Sequence, residues 1–404
     1  MASTGSMAAL RGIECIGALT PSTWLSDALN HSSSRSSSGS YISTVTRSSW
    51  TRTTQRTGQR CTADSSSFSH PERETNGWPR SRDQRPFLLV ASFTHPHDPF
   101  AVPQRYWDLY RDSDIETPAH TIALDAHSRR LRHVCAMDAE PVTEDEVRAA
   151  RRAYYGAIAY IDDLLGRLMG ALRSAALAED TIVILTSDHG EMLGERGLWY
   201  KMSFFEGASR VPLIVASPSR FESRRVATNV SLVDLMPTLI ELSGGNAQSL
   251  GIGVDGRSLA PHLRGAGGHD EAIGEYLAEG AIAPMVMIRR GPFKFIHSPA
   301  DPDQLFDLSH DPGERDNLAD NPASAALVAD FRAEVGKRWD LAELDARVRE
   351  SQRRRRLIDA ALSKGKIHPW DFQPFRDAAR QYIRNSMDLD DLERSARFPP
   401  VVRR

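Results

Sequence analysis

The stretch Thr181-Ile-Val-Ile-Leu-Thr-Ser-Asp-His-Gly190 joins a short apolar run to polar residues that follow it without a gap. A continuous apolar run of this length predicts a strand that is buried on both faces of a parallel sheet. The runs Phe87-Leu-Leu-Val-Ala-Ser-Phe93 and Val211-Pro-Leu-Ile-Val-Ala216 have the same character. We therefore expect all three strands to lie in one sheet.

Helical patterns accompany these strands. Thr143 and Glu146 form a capping-box pattern, and the apolar residues from Ala150 to Leu168 recur at helical spacing after it. A further helix is predicted at residues 232–242. Helix and strand together in this order predict an α/β fold, with a mixed, largely parallel sheet sandwiched by helices.

The pattern changes near residue 271. Met285-Val-Met-Ile288 and Phe293-Lys-Phe-Ile296 flank Arg289-Arg-Gly-Pro292, which predicts a β-hairpin, and Gln304-Leu-Phe-Asp-Leu308 is typical of one more strand. We expect a smaller antiparallel sheet here. Residues 271–404 would then form a C-terminal α+β subdomain beside a core of residues 86–270.

Residues 1–85 differ from the rest of the chain. They are rich in Ser, Thr and Arg, as in His31-Ser-Ser-Ser-Arg-Ser-Ser-Ser-Gly-Ser40, and show no sustained period of 2 or 3.6. Such a segment buries too little apolar surface to offset the entropy of ordering. The sequence predicts a disordered segment, or one translated in a shifted frame, so that the large sheet lacks its first strand.

The composition excludes several classes of protein. The 404 residues carry a formal net charge of −3, whereas nucleic-acid binders usually have a strong basic excess. The run Arg353-Arg-Arg-Arg356 lies between acidic residues and is typical of a solvated or subunit-facing surface. There is no apolar run of 18 residues to span a membrane and no convincing signal peptide. With three scattered cysteines, the sequence predicts a cytoplasmic protein without a disulfide framework.

The loop Thr94-His-Pro-His-Asp-Pro99 follows the first predicted strand. Open α/β sheets place their ligands at the carboxyl ends of strands. A histidine there can protonate a leaving oxygen or hold an oxyanion. The alternative is a proline-rich turn that carries surface histidines.

The loop Ser187-Asp-His-Gly-Glu-Met-Leu-Gly-Glu195 is more specific. Asp188 and His189 place an oxygen ligand beside a nitrogen ligand at a strand end, which suits calcium, magnesium or manganese. The alternative is an Asp that only caps a helix. Lys201 would neutralise charge on a bound oxyanion, although a lone lysine is more often solvated. Together the two loops predict hydrolysis of a tetrahedral oxyanion ester.

These residues resemble the type I sulfatases of the alkaline-phosphatase superfamily, and within them the choline-sulfatases. The resemblance rests on the stretches Ser92–Phe100, Ser187–Glu206, Arg210–Leu213, Val230–Leu239, Asp255–Leu259, Glu275–Gly280, Trp370–Asp377 and Met387–Glu393. It implies the hydrolysis of choline-O-sulfate to choline and sulfate. It also implies calcium as the metal and formylglycine, an oxidised cysteine, as the nucleophile.

The resemblance also assigns roles to residues. Asp188 and His189 match a pair of metal ligands, Lys201 matches the lysine that contacts the sulfate and the nucleophile, and His97 matches the histidine near the ester oxygen. An acidic residue of Glu275-Tyr-Leu-Ala-Glu-Gly280 would receive the quaternary ammonium, for which Glu279 is our choice and Glu275 the fallback. The tail with Asp390 and Asp391 resembles a segment that those enzymes exchange between subunits, which predicts a homo-oligomer.

Part of the family pattern is absent from the sequence. No Cys-x-Pro-x-Arg or Cys-x-Ala-x-Arg motif occurs; Cys61-Thr-Ala-Asp-Ser65 has serine in place of the arginine, and Cys15 and Cys135 fit no better. The nucleophile is therefore unknown, and an incomplete ligand set predicts weak or absent calcium binding. Two other readings stay open: a phosphonate monoester or phosphodiester hydrolase of the same superfamily, and a catalytically inactive remnant.

Overall fold

The computed structural model describes residues 9–15, 46–48, 86–118, 122–139 and 142–365. For residues 9–15 and 46–48 it describes the backbone. The larger of the two main sheets contains β1 (Ala9–Cys15), β4 (Val183–Thr186), β5 (Arg210–Val211), β6 (Leu213–Ala216) and β7 (Arg224–Ser231). Its order is β4-β6-β1-β5, and β7 also pairs with β1. β1 is parallel to β5 and β6 and antiparallel to β7, and β4 is antiparallel to β6, so the sheet is mixed.

Helices cover both faces of this sheet. Ile214 and Ala216 of β6 pack with Leu165 and Met169 of helix α3 (Glu144–Ser174) on one face. The intervening Val215 packs on the other face, with residues of α5 (Leu235–Leu242) and α6 (Ala260–Leu263). Successive side chains of a strand point to opposite faces. Because helices cover both faces of the sheet, β6 is buried on both sides, and this explains why all its residues are apolar.

The long helix α3 begins where the capping box predicts. The side-chain oxygen of Thr143 accepts from the Glu146 N–H, and the Glu146 carboxylate accepts from the Thr143 N–H at 2.7 Å. Its apolar face is buried as the periodicity predicts, at Tyr154, Ala157, Ile158, Ile161 and Leu164. Shorter helices precede it: α1 (Gln104–Trp107) and α2 (Ala126–Val134); α4 (Glu206–Ser209) lies just before β5.

The first predicted strand does not join the large sheet. Its regular part is β3 (Leu88–Val90), which pairs with β2 (Thr46–Ser48) in a separate two-stranded sheet. Phe87, Leu88 and Val90 are each more than 40% exposed, so the prediction of a strand buried on both faces of the large sheet is wrong. An apolar run indicates that a strand tends to be buried, but it does not specify the strand with which it pairs.

The N-terminal segment also departs from the expectation. β1 occupies a central place in the large sheet, where we expected a missing strand and no regular structure before residue 86. Strand pairing uses backbone groups, so the charged Arg11 and Glu14 do not prevent it. Apart from β1 and β2, the residues of 1–85 lie outside the described part of the chain.

The second main sheet is antiparallel, as predicted. Its order is β11-β10-β9-β8, formed by β8 (Glu271–Tyr276), β9 (Met285–Arg290), β10 (Phe293–Ser298) and β11 (Asp301–Asp307). One face packs on Val328, Phe331 and Val335 of helix α7 (Ala325–Arg338). The other face, with Met285 and Met287, packs on residues 192–205 of the loop after β4. The second sheet therefore supports that loop directly.

Helix α8 (Leu341–Leu362) ends the described chain and has no buried residue. Arg353 and Arg354 on its surface both pair with Glu350, as expected of a solvated face. The predicted tail, with its aromatic residues, Asp390 and Asp391, lies outside the described residues. Within the described residues, no helix is long and apolar enough to cross a membrane.

Candidate active site

Two loops at strand ends form the candidate site. Residues 94–99 follow the strand β3 and carry His97, and residues 187–206 follow β4 and carry Asp188, His189 and Lys201. The structure brings these side chains together although β3 and β4 belong to different sheets. The rings of His97 and His189 lie edge to face with centroids 6.5 Å apart.

His97 and Lys201 are in direct contact. The Nζ atom of Lys201 lies 3.0 Å from Nε2 of His97, and Nδ1 of His97 lies 2.7 Å from the backbone oxygen of Asp98. A carbonyl oxygen can only accept, so Nδ1 carries the proton and donates, while Nε2 accepts from the ammonium. This arrangement presents a lysine cation and a histidine at one exposed point, which suits an anionic ligand.

Asp188 and His189 form a second pair beside the first. Nε2 of His189 lies 3.6 Å from Oδ2 of Asp188, and Nδ1 of His189 donates to the backbone oxygen of Gly190 at 2.8 Å. The pKa of His189 is lowered, chiefly by burial and then by the positive charge of Lys201. A neutral ring with its Nδ1 proton engaged leaves Nε2 with a lone pair that faces the same region as the carboxylate.

This pair fits a divalent cation in part. Bonds of about 2.4 Å at right angles would separate two ligand atoms by about 3.4 Å, close to the distance observed here. Calcium, however, takes six to eight ligands. Within the described ranges, no cluster of three or more His, Cys, Asp or Glu residues could hold a metal ion. The described residues thus supply one side of a metal site and not a complete one.

Glu191 is a site residue that the sequence analysis missed. Its side chain is buried, and Oε1 accepts from the backbone N–H of Leu193 at 3.3 Å and of Tyr200 at 2.5 Å. Burial raises the pKa of Glu191 to about 7, and the two N–H donors and the Lys201 charge oppose this rise. Glu191 therefore fixes the residue next to Lys201. One indication of this role is present in the sequence, because Glu191 lies in the same motif after β4 as Asp188 and His189.

The turn after His189 needs glycine. A Cβ atom on Gly190 would lie 2.0 Å from the backbone oxygen of Gly207, far inside van der Waals contact. The two chain segments touch because the Gly190 N–H donates to the Ala208 oxygen at 2.7 Å. This close approach ties the beginning of the loop to helix α4 at its end.

Glu279 and Glu275 lie apart from each other. The Tyr276 hydroxyl donates to the backbone oxygen of Glu279 at 2.9 Å and to its Oε2 at 3.2 Å. Glu275 instead accepts from the indole N–H of Trp339 at 2.6 Å. Both carboxylates are exposed. Tyr276 also contacts the ring of His127, whose partner is the backbone oxygen of Met202, so Glu279 is the one connected to the lysine loop.

Comparisons with known proteins match the part of the chain that contains these site residues. The family model described as sulfatase matches residues 71–245. The C-terminal model of the choline sulfatase enzyme matches residues 346–398, and that of N-sulphoglucosamine sulphohydrolase matches 194–339. A choline-sulfatase of Rhizobium meliloti is 43% identical over 323 residues, which cover 78% of this chain and 63% of that protein.

Residues 71–245 belong to the sulfatase family.

The chain is also similar to a multifunctional alkaline phosphatase superfamily protein, PehA, of Trinickia caryophylli. That relative is 31% identical over 302 residues, covering 66% of this chain and 58% of the relative. The chain thus spans about three fifths of the length of these two curated relatives. The family resemblance inferred from the motifs is confirmed.

Solved structures support the fold. A phosphonate monoester hydrolase of Agrobacterium radiobacter superposes with a TM-score of 0.52 at 28% identity, over 61% of this chain and 55% of that chain. A second one, from Silicibacter pomeroyi, gives the same TM-score and identity over 60% and 53%. The alkaline-phosphatase-like fold that the resemblance implies is therefore confirmed.

Proposed function

We propose that this chain is a sulfuric ester hydrolase of the choline-sulfatase type, which acts on choline-O-sulfate to give choline and sulfate. The observation that carries the proposal is the 43% identity to a choline-sulfatase, together with the match of residues 346–398 to the C-terminal model of that enzyme. The second match distinguishes the choline branch from sulfatases in general.

The sulfate end of the substrate would bind between Lys201 and His97. A sulfate oxygen would accept from the Lys201 ammonium, which now donates to Nε2 of His97 at 3.0 Å. Nε2 of His97, no longer bonded to the ammonium, would take up a proton from solvent and donate it to the ester oxygen as the choline alkoxide departs. The exposure of His97 supports this role, because the ester must reach it from solvent.

The choline end would lie near Glu279. A trimethylammonium group has no strong donor and is held by carboxylates and aromatic faces. The link from Glu279 through Tyr276 and His127 to the backbone of Met202, next to Lys201, supports Glu279 over Glu275. The tail residues Asp390 and Asp391 would complete this end of the pocket from a neighbouring subunit, which makes the enzyme a homo-oligomer.

The proposal includes a divalent cation, most simply Ca²⁺, at Asp188 and His189. In the family such a cation offsets the charge of the sulfate, and formylglycine supplies the nucleophile. The sequence contains no motif that would generate formylglycine, so we derive no step through it. The scarcity of cysteine supports a cytoplasmic location.

The test separates binding from turnover. Calorimetry with inorganic sulfate should show binding to the full chain that is lost in Lys201→Met and kept in Lys337→Met, because Lys337 is exposed on α7 and remote in sequence from both loops. Absence of sulfate binding to the unmodified chain, or equal loss in both variants, would overturn the proposed anion site.

The substrate is tested by turnover. Choline sulfate and a phosphonate monoester should be compared on the same preparation, since the two phosphonate monoester hydrolase structures favour the second substrate as the alternative. Faster hydrolysis of the phosphonate would replace the proposal by that alternative. Mass spectrometry of the cysteine peptides for an aldehyde decides whether the family's nucleophile is present; we expect none, and an inactive chain would then retain only the binding role.

A further inference from the structure

The two residues next to Lys201 in the chain are each held, through one backbone group, by a buried side chain. The Tyr200 N–H donates to Glu191, and the Met202 oxygen accepts from Nε2 of His127 at 2.8 Å. The backbone is in the left-handed region at Tyr200, with φ of 68°, so the loop does not take this path by its local preference alone. Hydrogen bonds from Glu191 in the same loop and from His127 outside it therefore restrain the backbone on both sides of Lys201.

His127 makes this contact from helix α2 and is only 2% exposed. A carbonyl oxygen can only accept, so Nε2 carries the proton and donates to Met202. Nδ1 is then an acceptor, and it is buried without a hydrogen-bond partner among the described residues. A buried polar atom without a partner is unfavourable, and a phenylalanine would fill the same space without that penalty. Packing alone does not explain the histidine.

The His127 ring also contacts Tyr276, beside the proposed choline end. The two rings meet edge to face at 5.4 Å, and the Tyr276 hydroxyl donates to Glu279. His127 thus links the backbone of Met202, next to Lys201, to Tyr276, whose hydroxyl donates to the carboxylate proposed for the ammonium.

We propose that His127 is a positioning residue, which holds Lys201 against His97 and fixes its distance from Glu279. The ligand identities rest on the proposed function, but the placement of Lys201 does not. His127 acts through the backbone of Met202 and touches no reacting atom.

The chain offers a direct way to observe Lys201. The sequence contains five lysines, so protein labelled with ¹³C at lysine Cε gives five resonances, and Lys201→Met assigns the one of interest. The exposed Lys337 and Lys364 provide the reference for a solvated lysine. The resonance is recorded in full-length protein without sulfate, and thermal unfolding is measured in parallel.

Three substitutions at His127 separate its hydrogen bond from its volume. His127→Phe keeps the ring and removes the donor; His127→Gln places an N–H near Nε2; His127→Asn has the same amide with too short a reach. We expect the Phe and Asn variants to move the Lys201 resonance towards the solvated reference and Gln to keep it. Should the Phe variant fail to fold, the Gln and Asn pair makes the same comparison.

The control is His262→Phe, which alters another histidine that is 2% exposed but lies on α6. It should affect thermal unfolding without moving the Lys201 resonance. The inference is overturned if Phe and Asn at position 127 leave the resonance unchanged, or if Gln shifts it as far as they do.

Sulfate then separates this inference from the proposed function. If the proposed function holds, inorganic sulfate perturbs the Lys201 resonance, and His127→Phe raises the dissociation constant about threefold to tenfold, the effect of losing one hydrogen bond. If sulfate leaves the resonance of the unmodified protein unchanged, the anion site fails. The positioning role is still decided by the sulfate-free spectra.

Discussion

Replacing Lys294 by methionine should destabilise the protein more than the removal of any exposed charged side chain would. Lys294 is 0% exposed on β10, and its ammonium lies 2.7 Å from Glu206 and 2.8 Å from Glu314, whose side chains are 8% and 3% exposed. It also donates to the backbone oxygen of Phe204 at 2.8 Å. Removing one member of a buried ion pair costs about 3–5 kcal/mol, because it leaves buried charge without a partner.

The pH dependence gives this prediction a sign. Burial raises the pKa of Glu314, and the charge of Lys294 opposes that rise. In the absence of Lys294, the pKa of Glu314 is raised further. A carboxyl group whose folded pKa is raised stabilises the protein at low pH and loses that contribution as pH rises through the folded pKa. The loss caused by Lys294→Met should therefore be smaller at pH 5 than at pH 8.

The assay is urea unfolding at both pH values, followed by tryptophan fluorescence. The free energy of unfolding lost in the double variant Lys294→Met/Glu314→Gln should be about 1–3 kcal/mol smaller than the sum of the losses in the two single variants. The effects are not additive because the two side chains are in contact. Arg353→Met serves as the control, because that pair with Glu350 is exposed and should leave the free energy of unfolding nearly unchanged. A loss under about 1 kcal/mol at pH 8, or equal losses at both pH values, would refute the reasoning.

Three further predictions concern other parts of the fold. Gly190→Ala should lower the free energy of unfolding by about 3 kcal/mol in urea, since its Cβ would lie 2.0 Å from the Gly207 oxygen; an unchanged value contradicts that contact. Thr238→Val should cost about 1–3 kcal/mol, because it leaves the buried Leu259 N–H without its 2.8 Å acceptor, whereas Thr238→Ser should cost less. Burial lowers the pKa of His262, so stability should fall as pH drops below about 6.5, and His262→Phe should reduce that slope in unfolding measured from pH 5 to 8.

The sequence predicts those elements whose residues carry their own local pattern. The capping box at Thr143 places the start of α3, and the run of apolar residues after it identifies the buried face. The hairpin around Gly291 follows from two apolar runs with a turn between them. In each case the residues that determine the element are close together in the chain.

Pairing between distant strands is not predictable in this way. β3 has the apolar character of a core strand but pairs with residues 46–48, and β1 enters the large sheet despite charged residues in its sequence. Which edge accepts a strand depends on backbone groups left unpaired by the rest of the fold. A single sequence does not reveal those edges.

The candidate site shows the same division. His97 and Lys201 could be chosen because polar residues after strands tend to meet, and their contact at 3.0 Å agrees with that principle, while their roles stay predictions. His127 could not be chosen by it, since it acts on the backbone of the lysine loop from helix α2, and Glu191, although it lies in that loop, acts through a bond to the Tyr200 N–H that the sequence does not show. Their importance can be recognised only from the backbone conformation of the folded loop.

The second sheet is therefore part of the site's support. Its face with Met285 and Met287 packs on the loop after β4, and Lys294 of β10 binds the backbone of Phe204 within that loop. A rigid sheet beneath the loop restrains the lysine far better than a solvated loop could. Disturbance of β10 should consequently reach Lys201 through Phe204, even though β10 contributes no residue to the proposed anion site.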